Sequence, residues 1–107
     1  MIKRGDIVIG EFQGEMKRRP WLVIQNDKGN YFSDYTIVVP ITSKYKKSLP
    51  THIPLVWGFI NGTVKCETIQ TVSKSNLEVI EHLPDKIMEH IDNALAVAIG
   101  LKRNDEI

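Results

Sequence analysis

PDKIMEHIDNALAVAIGL, residues 84–101, is the stretch that decides the fold. Ile87, Ile91, Leu95 and Ile99 recur every four residues, with Met88, Ala94 and Ala98 beside them. That spacing lays one apolar stripe along a helix. Pro84 suits a first helical turn, Asp85 and Glu89 favour the positive end of the helix dipole, and Lys102 and Arg103 favour the negative end. A helix over about 84–101 would run roughly 27 Å at 1.5 Å per residue.

Upstream of Pro84 the pattern is that of strands. Residues 6–12, DIVIGEF, alternate weakly and are rich in Ile, Val and Phe. A polar loop, QGEMKRR, leads to Pro20 and the apolar run WLVIQ; Pro20 cannot donate to a ladder, so it marks the first position of that strand. NDKGN, residues 26–30, is dense in turn formers. YTIVVPITS reads as a third strand, and Pro40 within it implies an edge or a bulge. A basic loop over 43–51 precedes HIPLVW, where Pro54 again argues for an edge. Asn61-Gly62 is the strongest hairpin signal in the chain and separates VWGFI from the strand-like TVKCETIQTV. The expected architecture is mainly β with α (α+β): a small barrel or curled antiparallel sheet covered by one terminal helix.

Length and composition bound the function. At 107 residues the chain is expected to form one domain, residues 1–107, with no linker or repeat. The lone Cys66 excludes a disulfide framework and a Cys-rich zinc site. No apolar run approaches the ~20 residues that span a bilayer, and MIKRGDIVIGEF has no secretory apolar core. The expectation is a soluble cytoplasmic protein that touches no membrane. Residues 1–50 hold nine Lys/Arg against five Asp/Glu, and residues 51–107 hold five against eight. The basic clusters of the first half would hold a polyanion if they converge on one face; dispersed, they are solvated loop charges.

Most catalytic chemistries drop out on counting. His52, His82 and His90 share no metal-ligand spacing, so no metal and no cofactor are expected; His82 and His90 read as solvated. There is no Gly-rich phosphate loop and no G-x-S-x-G turn. Cys66, inside a strand-like run, reads as a small core residue. Arginine-centred chemistry remains. Arg19 precedes Pro20 and is therefore held extended. Its guanidinium, with donors in a fixed fork, suits a phosphodiester whose charge grows in the transition state. Such a site needs no metal when the substrate supplies the nucleophile, as RNA does with its 2′-hydroxyl. Thr42, at the end of the third strand, offers a second hydrogen bond to the same phosphate. The plain alternatives are a surface ion pair for Arg19 and an ordinary strand residue for Thr42.

Taken in order, KRGDIVIGEF, RRPWLVIQNDKGNYFS, IVVPITSK, LPTHIPL, NGTVKCETIQTV and HIDNALAVAIGL resemble the MazF/PemK family of toxin–antitoxin endoribonucleases, nearest its Gram-positive branch. The resemblance covers nearly the whole chain. It implies an SH3-like barrel of antiparallel strands with a C-terminal helix, the MazF/Kid/CcdB-like fold, paired as a homodimer. It implies metal-independent, sequence-specific cleavage of single-stranded RNA, leaving 2′,3′-cyclic phosphate and 5′-hydroxyl ends. The family's catalytic arginine falls on Arg19 and its threonine on Thr42; Glu15 is the carboxylate nearest the family's loop glutamate, four residues before the arginine here rather than five. Lys17, Arg18, Lys44, Lys46, Lys47, His52 and Gln70 stand where RNA is contacted. The partners implied are RNA and a cognate acidic MazE-like antitoxin, with DNA met only through the antitoxin complex. The first loop, QGEMKR, is shorter than the family's usual G-S-E-Q-x-G-like stretch.

Two other readings stay open on sequence. CcdB relatives share the fold, lack ribonuclease activity and bind DNA gyrase through C-terminal helix residues. A decayed toxin that binds only antitoxin or RNA would also keep this pattern.

Overall fold

A computed structural model describes residues 1–10, 19–44 and 49–103. These residues form β1 (Asp6–Gly10), β2 (Arg19–Val23), α1 (Asp27–Phe32), β3 (Tyr35–Thr42), β4 (His52–Trp57), β5 (Ile60–Lys65), β6 (Gln70–Ser73), β7 (Glu78–His82) and α2 (Asp85–Ala98). The strands pair antiparallel in the order β4-β5-β3-β2-β1-β7, and β6 adds to β3. β4 and β7 stand at opposite ends of that order, yet the Glu81 carboxylate of β7 lies against Gly58 at the tip of the β4–β5 hairpin. The sheet therefore curls until its ends approach one another, a mainly β half-barrel with a C-terminal helix, in keeping with the expected small barrel or curled antiparallel sheet.

Strand alternation divides the apolar side chains between two faces. Ile7, Leu22, Val39, Ile41, Leu55 and Val64 face α2 and bury its Met88, Ile91 and Ala94. Val8, Trp21, Val23 and Val38 form a smaller cluster on the other face, closed by Ile2, Val72 and Leu77. The helical stripe is as expected through Leu95, but α2 stops at Ala98. Gly100 takes φ +82°, ending the helix, and Ile99 is left exposed rather than continuing the stripe.

Several local expectations need correction. Residues 26–30 are not a simple turn. Asn26 caps α1, its side chain accepting the Gly29 N–H at 2.8 Å, and the residues that favour turns also favour helix starts. Asn30 inside α1 is buried: its Nδ2 donates to the Gln25 carbonyl (2.9 Å), while its Oδ1 accepts from Gln25 Nε2 (3.0 Å) and the Thr36 hydroxyl (2.6 Å). Asn61-Gly62 is not the hairpin turn either. The register Trp57↔Ile60 leaves Gly58-Phe59 as the two-residue connection, with Gly58 at φ +57°. A glycine at the first central position is what a type II′ hairpin requires.

Pro40 does not mark an edge, because β3 is flanked on both sides. β6 accompanies β3 up to Val38↔Gln70 and β5 takes over at Ile41↔Val64, so Pro40 falls in the interval between them. There its missing N–H costs the ladder nothing. Pro54 does lie in an edge strand, β4. The run TVKCETIQTV is two strands, β5 and β6, divided at 66–69, and β7 is a further strand whose polar residues hid it.

Candidate active site

The β2–β3 register leads toward Arg19 at the head of one strand and Thr42 at the end of the other. Trp21 pairs with Pro40 and Leu22 with Val39; continued two residues further, that register would set Arg19 opposite Thr42. Directly opposed residues of an antiparallel pair share a face, here the face of Trp21 and Val38. Arg19 is exposed at the start of β2, its backbone paired with Gly10 of β1 and fixed by the following Pro20. On the far side of β3, Thr42 pairs with Thr63 of β5, which is fully buried. The Thr42 hydroxyl accepts the Lys44 N–H at 3.3 Å. In that orientation its own proton is left to be donated.

Gln70 pairs with Val38 and by alternation shares the same face. Lys44 follows Thr42 by two residues and is exposed. Thr42 and Lys44 thus lie at the end of β3, whereas Gln70 lies beside Val38 at its middle. Glu15, Lys17, Arg18, Lys46 and Lys47 lie outside the described residues.

His52, expected where RNA is contacted, has a buried ring. Its side chain is only 4% exposed, and Nε2 lies 2.9 Å from Glu67 Oε2. The other ring nitrogen, Nδ1, is buried with no hydrogen-bond partner among the described residues. The Thr51 hydroxyl donates to Glu67 Oε1 at 2.8 Å. Burial works against the charge of Glu67, but its own backbone N–H, His52 and Thr51 donate to it and hold its pKa below the ordinary carboxylate value. This group was not legible as a unit in the sequence, since 15 residues separate His52 from Glu67; the polar pair Thr51-His52 at the head of a strand was the available sign.

Cys66 is a core residue as expected. Burial, then the charges of Glu67 and Asp92, push its thiol up to about 12, so it stays protonated and unreactive at neutral pH. His82 is not simply solvated: Nδ1 lies 2.7 Å from Oδ1 of the buried Asp6. Among the described residues, no group of three or more His, Cys, Asp or Glu comes together as a metal ion would need.

Arg19 and Thr42 would supply a fixed positive charge and a hydroxyl donor, and among the described residues no activated nucleophile stands beside them. Such a site suits an anionic substrate that carries its own nucleophile.

Comparison with known proteins points the same way. Residues 3–99 match the model of a family described as "PemK-like, MazF-like toxin of type II toxin-antitoxin system". The chain is 40% identical to Endoribonuclease EndoA of Bacillus subtilis, over 94% of this chain and 97% of that protein. It is 33% identical to Endoribonuclease MazF of Staphylococcus saprophyticus, over 94% and 93%. A mycobacterial endoribonuclease solved with its cognate antitoxin superposes with a TM-score of 0.85, covering 95% of this chain and 98% of that one at 24% identity. That last likeness bears on the fold alone.

Proposed function

We propose, on the premise that this chain belongs to the PemK/MazF family of type II toxin–antitoxin toxins, that it cleaves single-stranded RNA endonucleolytically without a metal. The single observation that carries this reading is the β2–β3 pairing through Trp21↔Pro40, which, continued two residues, would set Arg19 opposite Thr42. The RNA 2′-oxygen attacks the adjacent phosphorus, the bond from phosphorus to the 5′-oxygen breaks, and a 2′,3′-cyclic phosphate and a 5′-hydroxyl remain. Arg19 stabilises the charge that develops on the phosphoryl oxygens and supplies the proton that the leaving oxygen takes up. Thr42 donates to the same phosphoryl group. Glu15 takes the proton of the 2′-hydroxyl. Lys44 and Gln70 hold the strand on either side, Lys44 by charge and Gln70 by hydrogen bonds to a base edge.

The endoribonuclease names of both curated relatives support this reading over a gyrase-binding one. The partners that follow from it are an acidic antitoxin, which competes with RNA for the basic residues, and a second copy of the chain, in the cytoplasm. The test is incubation of the purified protein with a long single-stranded RNA in excess EDTA, beside Arg19→Ala. Discrete cuts with 2′,3′-cyclic phosphate ends are expected, reduced about 10²–10³-fold in the variant, the usual loss for one preorganised donor. RNA left intact by the folded wild-type protein would overturn the reading.

A further inference from the structure

The Thr51–Glu67 group lies beside the Thr42 end of β3, although nothing in the reaction above uses it. Thr42 pairs with Thr63 on one side of β5, and His52 pairs with Lys65 on the other. Thr63 and Lys65 are two residues apart and so point to one face. Thr42 and His52 therefore flank β5 on that face, with Cα atoms roughly 12 Å apart from strand spacing and rise. A group at that distance is out of reach of a phosphate bound at Thr42 but within reach of a neighbouring nucleotide.

Glu67 fixes this flank from several directions. Its carboxylate accepts from the Thr51 hydroxyl and faces His52 Nε2. The Cys66 N–H donates to the Thr51 carbonyl at 3.1 Å, and the His52 N–H donates to the Leu49 carbonyl at 3.1 Å. Among the described residues a proton on His52 Nδ1 would have no acceptor, whereas one on Nε2 would be donated to Glu67. The pair sets both the tautomer and the orientation of a buried ring at the end of the segment that leaves β3 at Thr42.

We propose that Glu67 is a positioning residue for the RNA: through Thr51 and His52 it holds the β4 side of the substrate surface, where a nucleotide next to the cleaved bond rests. This rests on the ribonuclease reading above. Its effect falls on how the strand is held and which sequences are cut, not on the bond-breaking step.

The test compares wild type, Glu67→Gln and Thr51→Val on a single-stranded RNA carrying several cut sites. An amide in place of the Glu67 carboxylate cannot accept both bonds and presents a donor to one of the two groups. Glu67→Gln is expected to raise KM about ten-fold with little change in kcat and to flatten the preference among cut sites. Its His52 ring ¹⁵N signals should move away from the Nε2-protonated pattern. Thr51→Val, which removes one bond and keeps the shape, should raise KM about three-fold. A folded Glu67→Gln protein with shifted His52 signals but unchanged KM and cut pattern would overturn the proposal. Should Glu67→Gln fail to fold, an unchanged KM in Thr51→Val would overturn it instead. Wild-type protein that leaves the RNA whole would instead sink the ribonuclease reading, so the two failures are distinguishable.

Discussion

Gly62 of β5 lies directly against the backbone of Thr42. A Cβ at Gly62 would overlap the Thr42 carbonyl oxygen and stand 3.0 Å from its carbon. The neighbour is backbone, with no flexible end to swing away, so the absence of a side chain at 62 is what lets β3 end where it does. Gly62→Ala is expected to cost about 1–3 kcal/mol of stability, the usual penalty of overpacking. It should also lower RNA cleavage by more than the loss of folded protein accounts for, because Thr42 is displaced. Melting curves beside cleavage rates per folded molecule check this; full specific activity in the Gly62→Ala variant would show that Thr42 tolerates the shift.

The Asn30 network gives the opposite separation. Removing its side chain leaves Gln25 Nε2 and the Thr36 hydroxyl without their shared acceptor. Unmade buried hydrogen bonds of this kind cost roughly 1–3 kcal/mol. Asn30→Ala should lower the midpoint of denaturant unfolding while specific activity per folded molecule stays near wild type, since residues 37–41 of β3 separate Thr36 of the network from Thr42.

Glu67 links stability to acid. Its pKa is lower folded than unfolded, so it stabilises the fold above its unfolded value near 4.5, and that contribution is lost as pH falls through the folded value. Thermal unfolding followed below about pH 5 should show a shallower decline in Glu67→Gln than in wild type.

Cys66 links stability to base with the reverse sign. Burial keeps the thiol protonated in the fold, while the unfolded thiol ionises near 9.0. The stabilisation is complete below about 9 and is lost as pH rises from there to about 12. At about pH 8 iodoacetamide should leave native Cys66 unmodified and label it once denaturant is added.

The fold was legible where the chemistry of each segment was local. The four-residue recurrence of Ile87, Ile91 and Leu95 gave α2, and the apolar runs around Val8, Leu22 and Val39 gave central strands. The failures came where one residue type serves two ends. Asn26 and Asn30 suit a turn and a capped helix equally, and only the buried partner Thr36, distant from the turn signal, decides between them. Gly62 has the composition of a hairpin turn but is required for close approach, a tertiary demand that neighbouring residues do not encode. The place of Arg19 at the head of β2 was legible from Pro20, and that of Thr42 at the end of β3 from the apolar run before it. The burial of His52 was not, because the carboxylate that faces its ring lies across a strand pair.

The change of partners at Pro40 divides β3 into two lengths with separate support. Tyr35–Val38 rest on β6 and are tied to α1 through Thr36 and Asn30, whereas Ile41 and Thr42 rest on the β4–β5 hairpin. The hairpin ends in β4 at the margin of the strand order, yet its Leu55, Ile60 and Val64 lie in the core cluster that buries α2. The two lengths of β3 therefore answer to different neighbours: a change in α1 or β6 acts on Tyr35–Val38, and a change in the hairpin acts on Ile41 and Thr42.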